Sequence, residues 1–247
     1  MKNIQAAAAL LLLVLGGCAS TSDNDNSAAS AKVHTELAGL YYERAQLGIA
    51  LDELEQALRA DSDYAPAYGV RGLVRMALRE DKEAESDFRK ALRIDELDSN
   101  TQNNYGWFLC QRGREEESIP HFLSALKNPL YRTPALAYLN AGLCSRRMEK
   151  NKDAEEFFRK ALTVQPGMKD ALYGLAELSF TDANYAQAKQ YFSRFSSAND
   201  NMTAEQLWLG VRIQRMTKDR NAEASFSIQL RKRFPDAKET RIMLRGE

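Results

Sequence analysis

Residues 135–168 read ALAYLNAGLCSRRMEKNKDAEEFFRKALTVQPGM, a stretch of 34 residues whose pattern returns along most of the chain. Small and aromatic residues hold its eighth, twentieth, twenty-fourth, twenty-seventh and thirty-second places, which are Gly142, Ala154, Phe158, Ala161 and Pro166. Steps of 34 or 36 residues lead from Phe158 back to Phe122, Phe88 and Leu54 and forward to Phe192 and Phe226. A fixed period of this length is typical of repeat arrays. The sequence therefore predicts six copies of one unit over residues 31–236.

This pattern resembles the tetratricopeptide repeat, whose unit of about 34 residues is a pair of antiparallel helices. Small residues at the eighth and twentieth places let the two helices cross closely, and the aromatic residue at the twenty-fourth place fills the remaining gap. Each pair has more apolar surface than it can bury alone, so neighbouring pairs must stack. The predicted fold class is all-α, a right-handed superhelical solenoid of six repeats, with residues 237–247 as a short capping segment.

Composition and charge argue against several classes of function. The chain has 34 basic and 34 acidic residues, so it lacks the basic excess that a nucleic-acid-binding protein needs. Its three cysteines and two histidines are a poor supply for metal sites or thiol catalysis. His34 and His121 fall in different predicted repeats, and no Ser-His-Asp order or phosphate-binding glycine loop is present. We therefore expect no catalytic residues, no metal site, no cofactor, no nucleic-acid partner and no enzyme activity.

The first 17 residues have the features of a signal peptide. Lys2 supplies a positive end, and residues 6–15 form an apolar run that is too short to span a bilayer. The run ends at Leu15-Gly16-Gly17-Cys18, which resembles the bacterial lipoprotein box. That resemblance implies that Cys18 is acylated and becomes the first residue of the mature protein. The alternative is an ordinary signal peptide that is cut near Ala19.

Residues 18–30 connect the proposed anchor to the first repeat. Ala19 is not an aspartate, which in similar lipoproteins implies sorting to the outer membrane, where the protein would face the periplasm. Serine, asparagine and aspartate dominate the segment, and it has no apolar periodicity. We predict a disordered tether with a reach of roughly 35 Å when extended, followed by a first helix from about Val33.

Cys110 and Cys144 lie 34 residues apart, at near-equivalent places in the first helices of neighbouring predicted repeats. An exported protein reaches an oxidising compartment, where thiols that can pair tend to do so. However, the step between these repeats is 36 residues, which shifts the two cysteines by two places relative to each other. The sequence leaves open both a disulfide and two buried free thiols.

Two apolar surfaces are candidates for protein binding. In tetratricopeptide repeats the first helices line a concave side, and the resemblance implies that this side holds Tyr42, Leu73, Met76, Trp107, Leu139 and Leu143. Such a surface suits a helix or strand of a partner, although about half of these residues could instead pack between repeats. The first predicted repeat has no repeat before it, which leaves a second apolar surface around Val33, Leu37, Leu40 and Tyr41.

The lipoprotein box, the tether and the repeats together resemble the PilF/PilW family of type IV pilus biogenesis lipoproteins, the secretin pilotins. The segments NNYGWFLC at 103–110 and AYLNAGLC at 137–144 add to this resemblance. It implies that the protein binds a secretin subunit, escorts it to the outer membrane and promotes its assembly into a multimer, which supports twitching motility. The alternative is a repeat scaffold lipoprotein of another outer-membrane complex, for barrel assembly or the cell wall.

Overall fold

The fold consists of helices in the part of the chain that the structure describes. The computed structural model describes the backbone of residues 20–246 and the side chains of residues 26–246. Thirteen α-helices follow one another there, with no strand between them, so the predicted all-α class is confirmed. Their bounds are α1 Ser20–Glu43, α2 Leu47–Ala60, α3 Ala65–Leu78, α4 Asp81–Ile94, α5 Ser99–Gln111, α6 Glu115–Ala125, α7 Pro134–Arg147, α8 Asn151–Val164, α9 Lys169–Thr181, α10 Tyr185–Ser197, α11 Ala204–Met216, α12 Arg220–Arg233 and α13 Lys238–Leu244.

The turns inside the helix pairs share one backbone conformation. A residue with positive φ follows each of six helices, at Ala45, Arg79, Gly113, Glu149, Ala183 and Lys218. Successive members of this set are 34, 34, 36, 34 and 35 residues apart. A left-handed residue at the end of a helix reverses the chain and satisfies the last carbonyl groups. The period of the sequence is therefore also a period of the backbone.

The described residues form two compact units, one ending at Phe108 and the other beginning at Leu109, so the division falls within α5. In the first unit α1 packs against α2 and α3, and α3 packs against α4. In the second unit each helix from α6 to α12 packs against the next one along the chain. The short α13 lies against α11 and α12, within the segment predicted as a cap. Contacts between helices that are close in sequence are what a repeat array requires.

The core of the first unit depends on a close approach of α3 and α4. A Cβ atom at Gly72 would lie 2.7 Å from a ring carbon of the fully buried Phe88. A side chain at Gly72 would therefore collide with the ring, and glycine is required by packing. Between α1, α2 and α3 the core is made of small and aliphatic residues, with Ala38 and Leu54 fully buried.

In the second unit one aromatic ring packs against two glycines. Cβ atoms at Gly142 in α7 and at Gly174 in α9 would each lie 2.6 Å from ring carbons of Phe158 in α8. Farther along, a Cβ atom at Gly210 in α11 would lie 2.8 Å from the ring of Phe192 in α10. The aromatic residue of a helix pair thus fixes the distance to the helices on either side of it. This arrangement explains why glycine and phenylalanine recur at a constant separation.

Helix α1 begins earlier than the sequence predicted. It starts at Ser20, so residues 20–30 are helical where we expected a disordered tether and a helix start near Val33. Ala31 is fully buried, and the hydroxyl of Thr35 donates to its carbonyl oxygen at 2.7 Å. Once the packed part of a helix has formed, each further residue adds a hydrogen bond without a new nucleation cost, and Ala28 and Ala29 favour this extension beyond Ala31.

No helix among residues 20–246 is sufficiently long and apolar to cross a membrane.

Candidate protein-binding surfaces

Three exposed apolar residues of the first unit lie on one side of α1. Val33, Leu37 and Leu40 are 53%, 36% and 51% exposed, and the geometry of an α-helix places them within about 60° of one another. We call these three residues the α1 outer face. Ala31 and Ala38, on the opposite side of α1, are fully buried. The sequence prediction of an apolar surface here therefore matches residues that solvent reaches.

Tyr41 and Tyr42 lie at the edge of this unit's core. Both are half-buried and pack against the cluster that contains Ala38 and Leu54. Tyr42 lies on the same side of α1 as the buried Ala38, which is away from the α1 outer face. The two tyrosines therefore contribute to the stability of the unit, and each also keeps part of its ring accessible.

Leu73 and Met76 of α3 and Trp107 of α5 are all half-buried and lie in the first unit. Their neighbour Val74 is fully buried, which separates the accessible side of α3 from the core side. The structure thus leaves each of these three predicted residues partly accessible. None of them is as exposed as Val33 or Leu40.

Leu139 and Leu143 of α7 belong to the second unit and are not equivalent. Leu139 is 5% exposed and lies in one cluster with Phe158 and the alanines Ala154 and Ala161. The prediction that Leu139 lies on an accessible binding surface is therefore wrong. The small alanines leave a space that the leucine side chain occupies. Leu143 packs against the same cluster but remains half-buried.

The polar part of the first unit is an ion cluster on α3 and α4. The Asp87 side chain is 5% exposed and accepts hydrogen bonds from Arg71 at 2.7 and 2.9 Å and from Arg75 at 2.8 Å. The guanidinium group of Arg71 also lies 5.1 Å from the ring centre of Tyr68. A buried carboxylate needs such compensation, since desolvation of its charge is costly. We assign this cluster to structure, because its acceptor atoms are already used.

Cys110 of α5 and Cys144 of α7 form a disulfide in the second unit, with their Cα atoms 6.0 Å apart. Of the two arrangements that the sequence left open, the structure contains the covalent one. Arg147 lies beside this link, with Nη1 4.0 Å from the Cys110 sulfur, and pairs with Glu115 at 3.3 Å. Both sulfurs are fully buried, which protects the link from attack by thiols in solution.

A second polar group joins α7 to α9. Arg146 and Glu177 form an ion pair, and Tyr173 donates a hydrogen bond to Glu177. Burial of the phenol raises the pKa of Tyr173, and the nearby charge of Glu177 raises it further. Tyr173 therefore stays neutral and serves as a hydrogen-bond donor at every physiological pH. The spacing of these residues in the sequence does not indicate that Arg146 pairs with Glu177.

Within residues 20–246 no group of three or more histidine, cysteine, aspartate or glutamate side chains is arranged to hold a metal ion. His34 pairs with Glu53 at 2.7 Å in the first unit. Burial lowers the pKa of His121 in the second unit. Cys18 and the predicted signal peptide lie outside the described residues.

Comparison with known proteins identifies both the repeat and a group of relatives. Residues 65–96 and 135–167 match the tetratricopeptide repeat. The chain is 31% identical to the type IV pilus assembly protein PilF of Pseudomonas aeruginosa over 199 residues, which cover 81% of this chain and 79% of that protein.

Solved structures agree with this similarity. The crystal structure of PilW, a widely conserved type IV pilus biogenesis factor, is 32% identical, with a TM-score of 0.77 over 87% of this chain and 98% of that one. The structure of Pseudomonas aeruginosa PilF is 28% identical, with a TM-score of 0.85 over 91% of this chain and 99% of that one. The similarity in fold thus extends over nearly all of both solved chains.

Proposed function

The chain belongs to the family of the type IV pilus assembly proteins PilF and PilW, and we propose that it acts in this system as a secretin pilotin. In this proposal it is an outer-membrane lipoprotein that binds secretin subunits and promotes their localisation and multimerisation. The observation that carries the proposal is the 31% identity to PilF over 81% of the chain. Accessible apolar residues on a repeat scaffold support a role in protein binding rather than catalysis.

We propose that Cys18 carries the lipid anchor. Only Ala19 separates it from Ser20, the first residue of α1. Twelve helical residues from Ser20 to Ala31 would span about 18 Å, roughly half of the reach of an extended tether. The α1 outer face would then stay close to the membrane. Cys18→Ser should leave the protein folded but release it from outer membranes, and a variant that still sediments with them in a partner-free strain would contradict the anchor.

We propose the α1 outer face as the main contact for the secretin. Its three side chains are the most exposed of the predicted binding residues and form one continuous apolar strip on a helix. Leu73, Met76 and Trp107 would add partly accessible surface in the same unit. A partner segment with an amphipathic helix could bury this strip, because apolar anchors three and four residues apart suit such a segment.

The test is a triple variant, Val33→Ser, Leu37→Ser and Leu40→Ser, with Ile228→Ser and Leu244→Ser as the matched control. Ile228 and Leu244 are 62% and 66% exposed in the second unit, so the control removes apolar surface of the same kind. We expect both proteins to fold normally, since exposed positions contribute little to stability. Only the triple variant should lose detergent-resistant secretin multimers at equal lipoprotein level.

Crosslinking through the same face identifies the partner. A photoreactive residue at position 37 should capture the secretin subunit in cells that assemble pili. If a barrel-assembly or cell-wall protein is captured, and the triple variant still forms normal secretin multimers, the pilotin proposal is wrong. The protein would then be a scaffold of another outer-membrane complex. Loss of multimers in the control variant alone would move the binding surface to the second unit.

A further inference from the structure

A pocket of about 320 Å³ opens among α9, α10 and α11 of the second unit, and none of the residues proposed to bind the secretin lines it. Its lining consists of Glu177, Phe180, Thr181, Tyr185, Leu209 and Arg212. Polar atoms form most of the lining, two charged groups of opposite sign face the same space, and Phe180, Tyr185 and Leu209 provide its apolar part. A few polar groups that converge beside apolar side chains are a common feature of specific binding sites.

Arg212 is the unusual member of this lining. Its guanidinium carbon lies 4.7 Å from the ring centre of Phe180 and 5.8 Å from that of Trp208. Its Nε atom is buried and has no hydrogen-bond partner within the described part of the chain. Nor does any carboxylate among the described residues pair with it, whereas the nearby Arg215 pairs with Glu223 at 2.9 Å. A buried donor without an acceptor is costly, so such groups in native proteins call for an explanation.

The ionic groups beside Arg212 are paired with one another, whereas Arg212 has no such partner in the part of the chain that the structure describes. Glu177 is already paired with Arg146 and accepts from Tyr173, so its charge is compensated within the protein. The pair Arg215–Glu223 is likewise neutral. Of these five ionic groups, Arg212 is the one whose charge is not matched by a direct ion pair among the described residues. The rings of Phe180 and Trp208 exclude water on one side, which strengthens the attraction of this charge for an anion.

We propose that this pocket binds a carboxylate of a protein partner, held by the guanidinium group of Arg212. A planar guanidinium group matches the two oxygens of a carboxylate, and stacking on aromatic rings restricts the orientation of that group before a ligand binds. Leu209 and Phe180 provide an apolar wall for the residue next to the acidic one. The volume suits one acidic side chain or one chain end with a small neighbour, and the pocket would add a charged contact to those made elsewhere on the protein.

The probe is acetyl-Leu-Ala-Glu-Ala-Leu-amide, whose only charge is its glutamate carboxylate. It is titrated into the full-length protein in detergent micelles, labelled with ¹⁵N at tryptophan and arginine. The readouts are the Trp208 indole signal and the Arg212 Nε–H signal. The chain has two tryptophans, so Trp107 in the first unit is an internal reference. We expect saturable shifts of both second-unit signals and an unchanged Trp107 signal.

Variants assign the effect to Arg212. Arg212→Gln should weaken peptide binding by about tenfold or more, because a hydrogen bond to a charged group is lost. Arg212→Lys keeps the charge without the planar geometry and should bind with intermediate affinity. Arg220→Gln removes an exposed charge of the same unit outside the pocket and should bind as the parent does. The α1 triple variant should also bind the peptide normally, which separates this result from the proposed pilotin role.

Further ligands identify the source of the carboxylate. The same peptide with glutamine in place of glutamate should not bind, and that glutamine peptide with a free C-terminal carboxylate tests a chain end. Binding of either carboxylate peptide supports the proposal and identifies which source fits. Unchanged signals with both peptides, equal binding of the uncharged peptide, or tighter binding of inorganic phosphate than of both carboxylates would overturn it.

Discussion

In the first unit Gly72 lies against the ring of Phe88, whereas in the second unit the ring of Phe158 lies against both Gly142 and Gly174. The steric contact is the same, but its surroundings differ. Phe88 has other aromatic rings beside it in its unit, with Tyr105 and Phe108 centred 5.6 and 5.7 Å away. Phe158 is enclosed mainly by alanines and leucines. The same contact between glycine and phenylalanine therefore occurs beside other aromatic rings in the first unit and among aliphatic side chains in the second.

The two units also differ in what links their helices beyond this contact. In the first unit the buried Asp87 binds Arg71 and Arg75, so charge joins α3 to α4 within one hairpin. In the second unit the Cys110–Cys144 disulfide joins α5 to α7. The first link acts within a hairpin and the second between hairpins. The repeat thus sets the crossing of the helices, while the additional links between helices vary from one unit to the other.

The largest expected effect is from Phe158→Ala. Removing a buried phenylalanine lowers the free energy of unfolding by about 3–5 kcal/mol, and the loss depends on how far neighbours can relax into the cavity. Glycines on two sides provide no side chains to move inward, so we expect the upper end of this range. Phe88→Ala should cost less, because Tyr105 and Phe108 can shift. Denaturant titration combined with amide exchange in each unit measures both, and equal losses would refute the distinction.

Asp87→Ala should have the next largest effect. It leaves Arg71 and Arg75 without their buried acceptor, which costs about 3–5 kcal/mol for buried pairs, and we expect the lower end because both arginines are partly exposed. Amide exchange should increase in α3 and α4. The control Glu36→Ala removes an exposed partner of Lys32 and should change stability by less than about 1 kcal/mol. If the control is equally destabilised, the ion cluster does not have the role assigned to it.

Removal of the disulfide should affect the second unit by a somewhat smaller amount. Cys110→Ala combined with Cys144→Ala should lower the free energy of unfolding by about 2–4 kcal/mol, since the link closes a loop of 34 residues in the unfolded chain. Faster amide exchange is expected in α7, and little change in α2 and α3. Adding a reductant should destabilise the parent to the same extent and leave the double variant unchanged; a response of the double variant would point to Cys18 instead.

The smallest expected effect is a pH dependence from His121. Burial lowers the pKa of this imidazole, with Arg114 lowering it further and Glu117 acting in the opposite direction. The unfolded chain therefore binds a proton more readily than the folded chain does. Stability should fall as the pH drops below about 6.5, the ordinary value for histidine, and level off below the folded pKa. In His121→Gln the melting temperature should depend less on pH between 7.5 and 5.5 than it does in the parent. An identical pH dependence in both proteins would show that His121 is not its cause.

Much of the fold could be predicted because its determinants are local and periodic. Gly142 and Phe158 stand 16 residues apart, as do Gly72 and Phe88, and this separation already indicates a hairpin with a close crossing. The α1 outer face could also be predicted, because Val33 and Leu37 had no preceding repeat to pack on. Arg212 was missed. A single arginine in a helix has no pattern in sequence, and its environment depends on rings from two different helices.

The period, the all-α class and the pairing of glycine with phenylalanine follow from the amino-acid sequence, because each depends on residue types at constant spacing. Which side chains remain accessible depends instead on how the helices pack. Leu139 and Leu143 read alike in the sequence, yet Leu139 fills the space beside Ala154 and Ala161, while Leu143 stays partly exposed. Likewise, Ala183 adopts positive φ at a position where glycine would be expected. Burial and backbone strain are set by what the neighbouring helices require, and that information is not contained in any single repeat.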